Sequence, residues 1–326
     1  LFLLILSILS VSCAYRIMTF NIRENGDRVT DGLRKVASQI KSYGPDIVSL
    51  QETKSDTIPT LLKYLGKGWS GVAHCKGTIS ALTKHTIVGL YEHVDRGFNV
   101  RIYLNNTGDE VSFWAYDSPI GNIYAPLEAK KAGATVEKIL AKEKERIQGV
   151  VELIKHPEFV RQIKNADSVP VILAGCFESP SHLDWIEATK KDHLGFVINW
   201  PVTRLLMDSA GLTDSYRELY PDPTKNPGNT WSNFKNLTPK DRIDYIFYRG
   251  SLKPTASYAV HGGSDLGNDH DKPRMNSEWP SDHDAVITDF ERTFQKGEKD
   301  ASFLIGSEFS YSSIKPLDKC PLKIHY

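Results

Sequence analysis

The chain has 326 residues, of which 40% are apolar, so it can bury a large core as one large α/β domain or as two ordinary ones. Its 40 Lys and Arg side chains balance its 40 Asp and Glu side chains. The net charge of zero excludes the overall basic field by which most nucleic-acid-binding proteins hold phosphates, and leaves only the option of a local basic patch.

The first fourteen residues are almost entirely apolar. Residues 1–14 are too short to span a bilayer, but they fit a signal-peptide core with the small residues Ser12 and Ala14 at cleavage spacing. We expect cleavage after Ala14 and a secreted, extracellular protein without a transmembrane anchor. The alternative is a core strand that begins at residue 1. Because an initiator Met and a basic leading segment are absent, we also expect that the N-terminus is incomplete.

The elements that follow can be predicted from apolar spacing and from turn residues. Apolar residues at helical spacing predict a helix over 34–43, which ends before Gly44. Short apolar runs between turns predict several strands over 79–118, and an amphipathic pattern predicts a helix over about 134–162. The charged face of this helix is read as solvated rather than as a binding surface. Residues 171–174 read as a buried strand that ends at Gly175.

Two N-x-Ser/Thr sequons begin at Asn105 and Asn236, and we expect both to be glycosylated, in agreement with a secreted protein. The first lies in a turn between two predicted strands. Such triplets also occur by chance, so the sequons support secretion only in combination with the apolar leader.

Five segments deliver a polar residue at the end or start of an apolar run; they lie at 16–23, 45–52, 171–178, 241–247 and 281–286. In this order and spacing they resemble the endonuclease/exonuclease/phosphatase superfamily, which includes deoxyribonuclease I, apurinic endonucleases, sphingomyelinases and inositol phosphatases. The resemblance implies one domain over 15–294 and a C-terminal tail over 295–326. It also implies a four-layer α/β sandwich, in which two central mixed β-sheets are flanked by helices, and we expect a monomer.

The resemblance also assigns roles in a metal-dependent phosphoesterase site. Glu52 matches the principal ligand of Mg²⁺ or another divalent cation, and Asn21 matches the neighbouring metal or phosphate contact. Asp282 matches a further acidic group near the cation. His283 matches the catalytic His, and Asp244 matches the carboxylate that orients its ring.

Three positions depart from the family's pattern. Cys176 stands where the family has the Asp that helps to activate water, and Glu178 stands where it has an Asn that donates hydrogen bonds to phosphate. The family's middle strand carries a His, but residues 99–129 contain none, and Trp114 is expected at that position. We therefore expect that most of the hydrolytic activity has been lost. Residual binding of Mg²⁺ or another divalent cation is expected to survive, because Glu52, Asn21, Asp282 and Glu178 still place oxygen ligands in one cleft, and loss of the cation as well is the alternative.

The leading hypothesis is a secreted protein that binds a phosphate ester or serves as an extracellular structural component. The alternative is an active, divergent Mg²⁺-dependent phosphodiesterase, phosphatase or nuclease with a rebuilt site. In such a site Glu178 would replace the charge lost at Cys176, or a Cys176 thiolate would bind Zn²⁺ together with His283. The balanced charge gives no strong nucleic-acid signal.

Three cysteines remain after the predicted cleavage, which permits one disulfide. We expect it between Cys75 and Cys320, because the resemblance places Cys176 at the mouth of the site. His182 and Asp184 are expected to cap a helix after Ser179 and Pro180 rather than to bind a ligand.

Overall fold

Two β-sheets form the centre of the computed structural model, which describes residues 14–74, 76–118, 124–231, 240–260, 278–293 and 322–326. The strands of this described part, in chain order, are β1 (Ala14–Asn21), β2 (Ile47–Gln51), β3 (Ser70–Ala73), β4 (Ile79–Thr83), β5 (Thr86–Val94), β6 (Gly97–Tyr103), β7 (Glu110–Asp117), β8 (Val171–Cys176), β9 (Thr213–Asp214), β10 (Asp244–Arg249), β11 (Leu252–Val260), β12 (Ala285–Arg292) and β13 (Lys323–His325). One sheet has the order β11-β12-β1-β2-β4-β3-β13, and the other has the order β5-β6-β7-β8-β10-β9.

Helices cover the outer faces of the sheets. The α-helices of the described residues are α1 (Gly32–Tyr43), α2 (Thr57–Leu65), α3 (Val136–Leu140), α4 (Lys144–Lys155), α5 (Pro157–Lys164), α6 (Pro201–Arg204) and α7 (Ser215–Leu219). Short 3-10 helices lie at Glu24–Gly26, Ala125–Lys130, Ala141–Glu143 and Glu187–Thr189, and Leu205–Ser209 is a π-helix. The predicted four-layer α/β sandwich is confirmed.

Each sheet is mixed because it contains one parallel strand pair. Strands β1 and β2 are parallel, as are β7 and β8, whereas the other pairs are antiparallel. The inner faces of the two sheets share one apolar cluster, which includes Ile17, Ile47 and Ile172. Ser49 Oγ donates a hydrogen bond to the Ala174 carbonyl oxygen over 3.0 Å and so links β2 of one sheet to β8 of the other.

Alternation along the strands decides which side chains enter the space between the sheets. In β8, Ile172 and Ala174 belong to the inner cluster, whereas Val171 and Leu173 pack against the outer helices. Cys176 continues the inner row. The carboxyl end of β8 therefore directs polar groups into the gap between the sheets.

The helix predictions were confirmed in one case and wrong in another. Helix α1 covers the predicted 34–43 segment and ends at Gly44, whose φ of 61° is a left-handed conformation that favours glycine. The single helix predicted over 134–162 is instead three helices, α3 to α5. His156 has extended backbone before Pro157, since proline disfavours the helical conformation in the residue before it and cannot continue a helix.

Residues 1–13 and 294–321 lie outside the described part, so the predicted leader is not described apart from Ala14, the first residue of β1. Within the predicted tail, β13 pairs in antiparallel fashion with β3. None of the described helices combines the length and the apolar character that a membrane span requires.

Candidate functional site

Polar side chains converge where five strands meet at one edge of the sandwich. Asn21 ends β1, Glu52 follows β2, and Asp117 and Cys176 end the parallel strands β7 and β8. Asp244 begins the antiparallel strand β10 and therefore lies at the same edge. Cys176 is the register partner of Asp117 on one side and of Asp244 on the other. The ends of strands in both sheets thus bring these polar side chains together in one cluster.

Glu52 is held in place by the residues around it. Asn21 Nδ2 donates to Glu52 Oε1 over 3.0 Å, and the backbone N–H of Glu24 donates to Oε2 over 2.7 Å. The backbone N–H of Arg23 donates to Asn21 Oδ1 over 2.9 Å. Glu52 has a φ of 57°, a left-handed conformation that costs a non-glycine residue on the order of 1–3 kcal/mol. These hydrogen bonds from the neighbouring loop therefore fix the carboxylate of Glu52 at the sheet edge, although the backbone of this residue has an unfavourable conformation.

His283 and Asp244 form a buried pair. Their Nδ1 and Oδ2 atoms are 3.0 Å apart, and Thr230 Oγ1 donates to the same Oδ2 over 2.6 Å. Burial alone lowers the pKa of His283, but the charge of Asp244 and its hydrogen bond raise that pKa to about 10. His283 is therefore protonated at neutral pH and can donate a hydrogen bond, but it cannot accept a proton.

Asp282 lies beside this pair and faces basic and indole donors. Its Oδ2 atom is 3.7 Å from Arg23 Nε and 3.4 Å from Trp231 Nε1. The preceding residue, Ser281, donates its hydroxyl to the Asn21 carbonyl oxygen over 2.6 Å. This bond ties the segment before β12 to the end of β1, so Asn21, Glu52, Asp282 and His283 occur in one place.

Asp117, Cys176 and Glu178 form the part of the site that departs from the family's pattern. Burial raises the pKa of Cys176 well above its usual range, and the charges of Asp244, Glu178 and Asp117 raise it further. Burial and the charges of Glu52 and Glu178 likewise raise the pKa of Asp117. Burial also raises the pKa of Glu178 although His283 opposes this, and the charge of Glu52 adds to the increase. Several acidic groups are therefore buried close to one another, and each disfavours the ionised form of the others.

The structure brings Asp117, and not Trp114, to this edge. In β7, Val111, Phe113 and Ala115 face the inner cluster, and Asp117 continues that row. Trp114 points to the opposite face, where its Nε1 donates to Gln162 Oε1 over 2.7 Å. The expectation that Trp114 occupies the catalytic His position of this strand is therefore not supported. The sequence did contain a signal for this position: Asp117 is the polar residue at the end of the apolar run that forms β7, as Asn21 is for β1.

The segment after β8 does not form the capped helix that was expected around His182 and Asp184. Asp184 instead accepts hydrogen bonds from Arg217 Nε over 2.6 Å and from Arg242 Nε over 3.0 Å. Arg242 also donates to Asp214 Oδ2 over 2.6 Å. This buried network fixes the start of β10, two residues before Asp244. The neighbouring His182 contacts Thr203 Oγ1 over 2.8 Å.

The structure describes only some of the residues predicted to carry glycans or to form the disulfide. Asn105 is exposed in the turn after β6, and its Oδ1 accepts a hydrogen bond from Thr86 Oγ1 over 2.8 Å. Asn236, Cys75 and Cys320 lie outside the described residues, so the second sequon and the disulfide stay predictions. Cys176 is a free and fully buried thiol rather than a residue at the mouth of the site.

The residues present fit a divalent cation. Glu52 and Asp282 supply carboxylate oxygens, and each oxygen of Glu52 keeps a lone pair beyond the hydrogen bond that it accepts. Carboxylate and amide oxygens are the ordinary ligands of Mg²⁺ and Ca²⁺. A cation would also offset the mutual repulsion of the carboxylates, which adds to the effect of burial in raising the pKa values of Asp117 and Glu178.

Comparison with known proteins agrees with this arrangement. The sequence pattern of the Endonuclease/Exonuclease/phosphatase family matches residues 18–131 and 153–283. An uncharacterised protein of Caenorhabditis elegans is 33% identical over 317 residues, which span 88% of this chain and 98% of the relative.

Solved structures share the fold at low sequence identity. A mannosyl-6-phosphatase of Bacteroides thetaiotaomicron superimposes with a TM-score of 0.55 at 15% identity, over 85% of this chain and 99% of its own. The human Nocturnin catalytic domain, solved with a bound sulfate anion, gives a TM-score of 0.52 at 18% identity, over 86% of this chain and 95% of its own. At these identities the likeness establishes the sandwich architecture.

Proposed function

The chain belongs to the endonuclease/exonuclease/phosphatase family, and from this membership we propose that it is a secreted member that has largely lost hydrolysis and binds a phosphate ester through a cation. Members of the family generally use divalent metal ions. The proposal therefore separates two properties that usually occur together in the family, namely cation binding and phosphoester cleavage.

One observation carries the proposed loss of hydrolysis. Cys176 and Glu178 stand at and after the end of β8, where the family has an Asp and an Asn, and the end of β7 presents Asp117 and no His. A carboxyl group repels the phosphate oxygens when it is ionised and offers one donor when it is protonated, whereas the amide of Asn offers two donors in either case. Loss of a single transition-state donor typically lowers the rate by about a hundredfold to a thousandfold. Three such changes leave little of the family's reaction.

A different set of residues supports the proposed binding role. Glu52, Asn21 and Asp282 keep the oxygen ligands of a cation, and protonated His283 supplies a positively charged donor for a phosphate oxygen. Asp244 anchors this His by a 3.0 Å contact. Binding requires only these attractive contacts, whereas cleavage also requires activation of the attacking water.

A second candidate function is a divergent phosphodiesterase, phosphatase or nuclease with a rebuilt site. The intact pair of His283 and Asp244 favours it, because the 3.0 Å contact matches the arrangement that the family resemblance gives to the catalytic His and its carboxylate. In this case Glu178 would take over the role of the acidic residue lost at Cys176.

A hydrolysis assay distinguishes the two functions. We expect the purified mature chain with Mg²⁺ or Mn²⁺ to cleave bis-p-nitrophenyl phosphate and p-nitrophenyl phosphate at trace rates, and Glu52→Ala to leave those rates unchanged. Glu187→Ala, an exposed substitution away from the site, serves as the matched control. Robust turnover that disappears in Glu52→Ala and persists in Glu187→Ala would instead establish the divergent enzyme.

We also propose that the protein acts outside the cell, as the apolar leader and the exposed Asn105 suggest. Expression in a secretory host should give a chain that begins at Tyr15 and carries sugar on Asn105. N-terminal sequencing and intact-mass measurement test both features, with Asn105→Gln as the control that removes one glycan. A chain that keeps its leader inside the cell would contradict the proposed compartment.

A further inference from the structure

Three side chains of different chemical types meet beside the ends of β8 and β12. Cys176 Sγ, a carboxylate oxygen of Glu178 and a ring nitrogen of His283 all lie within 4.8 Å of one another. Cys176 Sγ and Glu178 Oε1 are 3.4 Å apart. This group contains the substituted residues of the site together with its retained His, and it is distinct from the oxygen ligands Glu52, Asn21 and Asp282.

We propose that Cys176, Glu178 and His283 form a zinc site. The inference deepens the proposed binding role and rests on it, because the zinc ion would replace protonated His283 as the positive charge that a phosphate ester meets in the cleft. Thiolate, imidazole and carboxylate are the ordinary ligands of Zn²⁺, and three protein ligands with one open position are a common arrangement for this ion.

The separations are close to those that zinc requires. Zinc lies about 2.3 Å from sulfur and about 2.0–2.2 Å from nitrogen or oxygen, so two of its ligand atoms in a tetrahedron are separated by roughly 3.5 Å. The sulfur and the carboxylate oxygen already have this separation, at 3.4 Å. The two pairs that include His283 lie within 4.8 Å, so each closes by at most about 1.3 Å when zinc binds. Rotation of Glu178 acts on one of these pairs, and the other closes by movement of the Cys176 or His283 side chain.

The orientation of His283 supports the site independently. Its Nδ1 atom is held by Asp244 Oδ2 over 3.0 Å, so Nε2 is the ring nitrogen for a metal, and zinc binding there would displace the Nε2 proton because only the neutral ring is a ligand. Asp244 accepts a further hydrogen bond from Thr230 Oγ1 over 2.6 Å. A carboxylate that holds the distal nitrogen of a metal-binding His is the usual outer shell of a zinc site, where it fixes the ring and raises its basicity.

The presence of Cys176 at the end of β8, where the family has an Asp, favours zinc over Mg²⁺. Mg²⁺ prefers hard oxygen ligands and avoids sulfur, whereas zinc accepts thiolate readily. Cys176 is fully buried and free, and zinc would bind it with loss of the thiol proton, because the ligand is the thiolate. Glu178 and His283 then complete a site whose ligands differ in type from those of an Mg²⁺ centre.

Titration of the chelator-treated mature chain tests the site. We expect isothermal titration calorimetry to show one zinc ion bound at least about 100-fold more tightly than Mg²⁺, and Cys176→Ala to weaken zinc binding at least about 100-fold. His182→Gln, which removes a half-buried His elsewhere in the chain, should leave the zinc affinity unchanged. Cys176→Asp should shift the preference back toward Mg²⁺. Melting curves of each variant establish that it is folded.

Substitution with Co²⁺ provides a second readout in the natural chain. A thiolate ligand gives an ultraviolet sulfur-to-cobalt charge-transfer band, which should be present in the natural chain and absent in Cys176→Ala. A zinc affinity that Cys176→Ala does not change, or a cobalt spectrum without the thiolate band, would overturn the site while leaving the proposed loss of hydrolysis intact. Tight zinc binding with rapid zinc-dependent hydrolysis would overturn the proposed loss and leave the zinc site standing.

Discussion

A triple substitution of Cys176→Asp, Glu178→Asn and Asp117→His is expected to raise Mg²⁺-dependent hydrolysis of a phosphodiester at least about 100-fold over the natural chain. The three changes restore an acidic residue, an amide donor and an imidazole donor beside the retained Glu52. The pair of His283 and Asp244 already has hydrogen-bonding geometry, at 3.0 Å. Initial rates measured with equal amounts of folded protein give the result.

Two controls make this result specific to the site. Adding Glu52→Ala to the triple variant should abolish the gain, because it removes the main cation ligand. Moving the new His to Trp114 instead of Asp117 should give no gain, because Trp114 faces the outer helices. A folded triple variant that is no faster than the natural chain would show that the loss of activity lies elsewhere in the cleft.

Arg242→Met is expected to lower the free energy of unfolding by about 3–5 kcal/mol, because it leaves buried Asp214 without its ion-pair partner and buried Asp184 with Arg217 alone. Arg242 donates over 3.0 and 3.2 Å to the two oxygens of Asp184 and over 2.6 Å to Asp214. Its side chain is 2% exposed, so water cannot replace these bonds. Urea unfolding monitored by tryptophan fluorescence measures the loss.

The matched control is Arg204→Met, which breaks a 2.9 Å ion pair with Asp208 on an exposed helix surface. Such pairs contribute little, so this variant should lose less than about 0.5 kcal/mol. Similar losses in the two variants would mean that solvent reaches the buried network. Because the network lies two residues before Asp244, the Arg242 variant should also show how far the pair of His283 and Asp244 depends on the start of β10.

Much of the fold could be predicted because a short apolar run followed or preceded by a polar residue can be recognised from neighbouring positions in the sequence. Glu52 and His283 each stand next to an apolar strand, and their order along the chain carries the family pattern. The placement of Trp114 failed for a different reason. Strand β7 is buried on both faces, so Phe113 and Trp114 are equally apolar and equally inaccessible. Such a strand has no alternation in the sequence that reveals which face is inside.

The buried ion pairs left no sequence signal because their partners are distant along the chain. Asp184 is 33 residues from Arg217 and 58 residues from Arg242. Helix capping depends on residues within one turn and was therefore the natural local interpretation of Asp184. Only the packing of α7 and β10 against the segment after β8 brings the two arginines to this carboxylate.

The position of β1 has a consequence for how the protein is made. This strand is paired on one side with β2, which follows it closely, and on the other side with β12. Arg16 and its ion-pair partner Asp289 are 273 residues apart, so at synthesis rates of roughly 5–20 residues per second β1 waits roughly 15–55 s for its second neighbour. During that time one edge of an apolar strand has no native partner. Until β12 is synthesised, we therefore expect this edge to be open to non-native pairing.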